Sequence, residues 1–123
     1  MKRVILVGNC HFDGSRIASL IESTFENTTV ARIDTTKQAR TILKKDGCKV
    51  DLIIINRIGN FDKKNGLGLI DHVQKNCKNV PIMLITNYED KMKEAMEHSA
   101  VQGFGKANLE TKKTIALLSK YLR

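Results

Sequence analysis

The sequence predicts a three-layer α/β domain, a (βα)5 chain whose five-stranded parallel sheet lies between two layers of helix. Two observations carry that expectation. Residues 4–7, 50–55 and 80–85 are short apolar runs rich in β-branched side chains, of strand length rather than helix length. Between and after them lie stretches with helical spacing of apolar residues, and strands separated by helices of that length must be joined by parallel crossovers. A chain of 123 residues is enough for one domain, 1–123, and too short for two. With 41% hydrophobic and 28% charged residues it has the balance of a folded chain.

Each element has its own local reason. The first strand, 4–7, leads to a helix whose apolar face is Ile17, Leu20, Ile21 and Phe25, with Asp13 or Ser15 as its cap. Residues 29–33 read as the second strand. Thr35 followed three residues later by Gln38 is a capping-box pattern. It opens a helix that turns Ala39, Ile42 and Leu43 inward and stops at Gly47. After the strand over 50–55, a helix over 66–77 buries Leu69, Ile70 and Val73. The strand over 80–85 precedes a short polar helix over 90–98. Residues 101–105 are the weakest strand, and Asn108 caps a last helix carrying Ile115, Leu118 and Leu122.

Composition excludes several classes of protein. No apolar run approaches the roughly 18 residues needed to cross a membrane, and the stretch after Met1-Lys2-Arg3 is too short for a signal peptide. Cys10, Cys48 and Cys77 are odd in number and lack metal-ligand spacing. They read as reduced thiols of a cytoplasmic protein, not as a disulfide scaffold. His11, His72 and His98 have no spaced second ligand. Gly8 and the later Gly14-Ser15 lack the lysine and spacing of a phosphate loop, and no G-x-G-x-x-G follows a strand.

Charge is the unusual property. Lys and Arg number 21 against 13 acids, a net charge of +8. The bases are scattered, in pairs such as Lys44-Lys45, Lys63-Lys64 and Lys112-Lys113, and only Phe61 lies near the middle pair. The aromatic interleaving of a single-strand binder is missing, so nucleic acid ranks behind protein as the expected partner.

In a doubly wound sheet the ligand site lies at the carboxyl ends of the strands. Those ends carry Gly8-Asn9-Cys10, Asn56-Arg57, Thr86-Asn87 and Gly105-Lys106. Around them are the runs Asp51-Leu52-Ile53-Ile54-Ile55-Asn56, Asn65-Gly66-Leu67-Gly68-Leu69-Ile70, Pro81-Ile82-Met83-Leu84-Ile85-Thr86 and Gly103-Phe104-Gly105-Lys106. In this order, over essentially the whole chain, they resemble the receiver domain of two-component response regulators, the family of the chemotaxis regulator. The resemblance implies the flavodoxin-like doubly wound fold. It also places Asn56 where the family has its phospho-accepting aspartate, and Gly8 and Asn9 where it has the acidic pair that holds a divalent metal. Thr86, Phe104 and Lys106 fall on its pocket and switch positions. The chain departs from the family further: the loop after Asn56 is longer and lacks Met-Pro, the stretch from Thr86 to Lys106 is short, and Ala107 replaces a common proline.

These departures decide the chemistry expected. Receiver phosphorylation needs a carboxylate to attack phosphorus while Mg²⁺ neutralises the developing charge. The Asn56 amide is uncharged and a poor nucleophile. Mg²⁺ requires carboxylates, whereas Gly8 offers no side chain and Asn9 a neutral carbonyl. Mg²⁺ binding is therefore expected to be weak or absent, with no other cofactor and no enzymatic activity. The expectation is a pseudo-receiver that acts by phosphorylation-independent protein–protein contact.

Lys106, without acidic neighbours, biases the pocket toward an anion or a hydrogen bond to Asn56, unless its ammonium simply points to water. Phe104 reads equally as a core aromatic. The family's output surface would here present Lys91, Lys93, Lys112, Lys113 and Lys120. That favours a partner with an acidic face, such as a histidine kinase or an output domain. Two alternatives stand beside this reading: a working phosphoacceptor in which Asn56 replaces a native Asp, and a nucleic-acid-binding domain using the basic surface.

Overall fold

Strand β1 (Lys2–Val7) turns Val4 and Leu6 to one face of the sheet and Ile5 and Val7 to the other, and all four are buried. That alternation sets the layers. The computed structural model describes residues 2–8, 11–56, 63–77, 79–86, 88–105 and 111–122, with backbone only for 11–14, 56 and 63–67. Strands β2 (Thr28–Ile33), β3 (Leu52–Asn56) and β4 (Ile82–Ile85) join β1 in a parallel sheet of order β2-β1-β3-β4. The helices are α1 (His11–Thr24), α2 (Thr36–Asp46), α3 (Lys63–Asn76), α4 (Glu89–Glu97) and α5 (Lys112–Leu122).

Val4, Leu6, Leu52, Ile54, Met83 and Ile85 pack with Ile17, Ile21 and Phe25 from α1 and its end and with Leu118 and Leu122 of α5. The opposite face sets Ile5, Val7, Ile53, Ile55, Ile82 and Leu84 against Ala39 and Leu43 of α2, Leu69, Ile70 and Val73 of α3, and Ala95 of α4. This is the three-layer α/β arrangement the sequence predicts. The chain leaves β1 toward β2 and returns across it to β3, so the order reverses between β1 and β3. A crevice for ligand opens at the carboxyl ends of strands at such a point.

Helix α2 matches its local signals closely. The Thr35 hydroxyl accepts from the Gln38 N–H at 3.1 Å, and the Gln38 side chain accepts from the Thr35 N–H at 3.2 Å. Gly47 ends the helix at φ 64°, a left-handed conformation that needs no β-carbon, and its N–H donates to the Leu43 carbonyl.

Four expectations are corrected. The fifth strand does not form: among the described residues the sheet has four strands, and Val101 makes a single parallel bridge to Met83. The segment still lies beside β4, with Val101 N–H donating to Ile82 O at 2.9 Å and Thr86 N–H to Phe104 O at 3.1 Å. A β-carbon on Gly103 would run into the Leu84 carbonyl oxygen. In a regular ladder it would stand out of the sheet, so the backbone here is rotated away from strand geometry.

The predicted caps of α1 are also displaced. The helix begins at His11, so Asp13 and Ser15 lie inside it. Helix α5 begins at Lys112, beyond Asn108, and the Thr111 hydroxyl accepts from the Thr114 N–H at 3.3 Å, the usual bond of an N-cap. Asn108 itself lies outside the described residues.

The cysteine expectation is overturned in part. Cys48 and Cys77 form a disulfide, with Cα atoms 5.7 Å apart and a separation of 29 positions in sequence. Each follows the end of one of two neighbouring helices, α2 and α3, which finish at the same end of the sheet. Cysteine spacing does not record that proximity. At this end Arg3 also ties β1 to the approach to β3. Its N–H donates to Asp51 Oδ2 at 2.8 Å, its guanidinium to Asp46 Oδ2 at 2.8 Å, and it accepts from the Asp51 N–H at 2.9 Å. Among the described residues no helix is long and apolar enough to cross a membrane.

Candidate functional site

The parallel register brings the predicted site positions to one edge. Val7 pairs with Ile55, so Gly8 and Asn56, each one residue further, stand level at the carboxyl ends of β1 and β3. Asn56 in turn pairs with Ile85, the residue before Thr86. Three of the predicted positions are thus adjacent in the sheet although they are far apart in sequence.

Gly8 has a structural role of its own. Its φ is 79°, and its N–H donates to the Ile33 carbonyl at 3.0 Å, closing β1 against β2. A side chain at that φ is disfavoured because its β-carbon crowds the backbone. The residue that contributes no carboxylate is the one the turn favours. Asn9, Asn87 and Lys106 lie outside the described residues, as does the Asn56 side chain. Among the described residues no three His, Cys, Asp or Glu side chains gather as a metal site would need.

Thr86 links the edge to the rest of the molecule. Its hydroxyl accepts from the Tyr88 N–H at 3.2 Å, fixing the turn into α4, and its own N–H donates to Phe104 O. The Phe104 ring is only 6% exposed and packs in the core with α1 and α5. Thr86 and Phe104 are therefore coupled through the backbone, while the aromatic side chain serves the core.

Beside them is an open groove of about 1090 Å³ between α4 and α5, floored by residues 102–105. Thr86, Phe104, Tyr88, Met92 and Leu117 line it, and Lys113, Lys120 and Glu89 supply its charge. Of the basic residues expected on this surface, Lys113 and Lys120 reach the groove, and Lys93 and Lys112 are exposed. Sequence reasoning missed Tyr88, which is 69% exposed at the N-cap of α4 and makes no side-chain cap bond. The available signal was an aromatic at a position where Ser, Thr, Asp or Asn is usual.

Among the described residues, His72 and His98 have shifted pKa values, and neither lines the groove. Asp71 accepts a hydrogen bond from His98 Nδ1 at 2.9 Å and raises the His98 pKa above 6.5, with further help from the charges of Asp71, Glu94 and Glu97. Partial burial, then the positive charges of Arg40 and Lys75, lower that of His72.

This strand order is that of the flavodoxin-like doubly wound fold, and solved response-regulator receiver domains share it. Among solved structures, a response regulator from Hahella chejuensis superposes with a TM-score of 0.74 at 21% identity, over 99% of this chain and 96% of that one. The beryllofluoride-activated NtrC4 receiver domain dimer gives 0.77 at 17% identity, over 99% and 97%. The Vibrio cholerae chemotaxis protein CheY4 gives 0.72 at 14% identity, over 100% and 99%. The sequence matches no family model and no curated protein.

Proposed function

We propose that this chain is a pseudo-receiver of two-component or phosphorelay signalling, a cytoplasmic, non-enzymatic module that works by protein–protein contact independent of phosphorylation. The observation that carries the reading is the neutral pair at the switch point: Gly8 and Asn56 stand level at the strand ends, where phosphoryl transfer would need carboxylates. The contact surface is the groove between α4 and α5. Lys113 and Lys120 favour an acidic partner face, and Tyr88 offers an exposed aromatic anchor.

The test is an amide NMR titration with Mg²⁺ and then beryllofluoride, the reagent that activates the NtrC4 receiver. The expected result is no movement at Asn56, Thr86, Phe104 or Lys106. Shifts at those amides together with α4 would overturn the reading. Asn56→Asp addresses the phosphoacceptor alternative. Mg²⁺-dependent labelling by a small phosphodonor would support it, and none is expected because Gly8 and Asn9 supply no carboxylate. Nucleic-acid binding through the +8 charge would appear as an affinity falling steeply with salt.

A further inference from the structure

We infer that Cys48 and Cys77 form a reversible thiol–disulfide exchange site, with Cys48 the sulfur that an external small thiol attacks. The inference is independent of the function proposed above. It rests on three observations.

First, both cysteines are held in place by backbone bonds that do not require the S–S bond. The Cys48 N–H donates to Leu43 O at 3.0 Å and its carbonyl accepts from Val50 N–H at 2.9 Å. The Cys77 N–H donates to Val73 O at 2.7 Å and its carbonyl accepts from Val80 N–H at 3.0 Å. Cys48 sits at φ 62° directly after Gly47 at φ 64°, two successive left-handed residues that turn the chain at the end of α2. After reduction the two sulfurs remain neighbours, so closure is intramolecular and re-forms readily.

Second, the two sulfurs differ in access. Cys77 is 5% exposed, whereas Cys48 is half-buried at the surface. Third, the dithiol state is provided for: the Asn76 carbonyl oxygen lies 3.6 Å from Cys48 Sγ, an acceptor for the thiol proton once the bond is open.

The exchange balances with a low-molecular-weight thiol as co-reactant. Its thiolate attacks Cys48 Sγ, the S–S bond breaks, and the electron pair leaves on Cys77 Sγ, which takes a proton. A second thiolate attacks the small-thiol sulfur of the mixed disulfide and releases Cys48. Two small thiols are oxidised to their disulfide as the protein disulfide is reduced to two thiols, and the reverse sequence closes the ring. That ring, residues 48–77, contains β3 and α3, so its closure governs how freely α3 separates from α2.

The experiment equilibrates the full chain, carrying Cys10→Ser, in glutathione buffers of graded ratio approached from both directions. Alkylation and intact mass then count thiols, and hydrogen exchange follows α3. Two thiols should appear together in one transition with the same midpoint from either direction, and α3 amides should exchange at least tenfold faster in the dithiol form. Cys48→Ser, which leaves the buried sulfur in place, should match the dithiol exchange pattern in every buffer. A thiol count that never changes, whether fixed at zero or at two, overturns the inference. So does equal α3 exchange in the two forms.

Discussion

At the amino ends of the strands the chain is joined by charge and by a covalent bond; at the carboxyl ends the joins among the described residues are between neutral groups. Arg3, Asp46 and Asp51 cross-link β1 to the approach to β3, and Cys48–Cys77 connects the ends of α2 and α3. The opposite edge relies on Gly8 N–H to Ile33 O, Thr86 N–H to Phe104 O and the Thr86 hydroxyl under Tyr88. The same four strands thus have one end cross-linked by side chains and one end joined, among the described residues, by backbone and hydroxyl hydrogen bonds. Mutations at the two ends should separate accordingly.

The largest effect should come from opening the disulfide. A 29-position separation implies a loss of about 3 to 4 kcal/mol by the chain-entropy argument, read as a lower urea midpoint in reductant or in Cys48→Ser. Next is Gly103→Ala, a substitution near the carboxyl edge expected to behave like an amino-end lesion. Its new methyl must displace the Leu84 backbone, at about 1 to 3 kcal/mol by urea titration. A stability unchanged within error would show that the 101–105 segment relaxes freely beside β4. Asp51→Ala, which removes the acceptor of the Arg3 N–H, should cost about 1 kcal/mol.

The smallest effect is one of pH. The raised His98 pKa means that its contribution is fully present below 6.5 and is lost as pH rises through the folded value. His72, with a lowered pKa, acts the other way: it reduces stability as pH falls below 6.5. Thermal melts across this range should therefore decline more shallowly on the alkaline side in His98→Asn than in the parent.

What the sequence revealed depended on how local each signal is. Helix α2 was legible at both ends because Thr35, Gln38 and Gly47 act within one turn of where they stand. The apolar runs of β1, β3 and β4 announced a buried parallel sheet, and motif order at the strand ends pointed to the edge where Gly8, Asn56 and Thr86 meet. The misses involve partners distant in sequence. Val101 reads as a strand residue, yet Gly103 is set by the Leu84 carbonyl of another element. Cys48 and Cys77 carry no sign of each other, since helix packing alone brings them together. The groove belongs to α4, α5 and residues 102–105 jointly; Thr86, Phe104 and its lysines were foreseeable, whereas Tyr88 was not.

Gly8 and Asn56 differ in what an acidic side chain would ask of the chain at each position. At position 56 an amide and a carboxylate are nearly the same shape, so an Asn-to-Asp change asks little of the chain. At position 8 the turn has settled at φ 79°, where any β-carbon costs about 1 kcal/mol. An acid placed there would first have to re-form the end of β1. The two positions are therefore unequal: at 56 a carboxylate needs only a change of side chain, while at 8 the backbone itself stands against one.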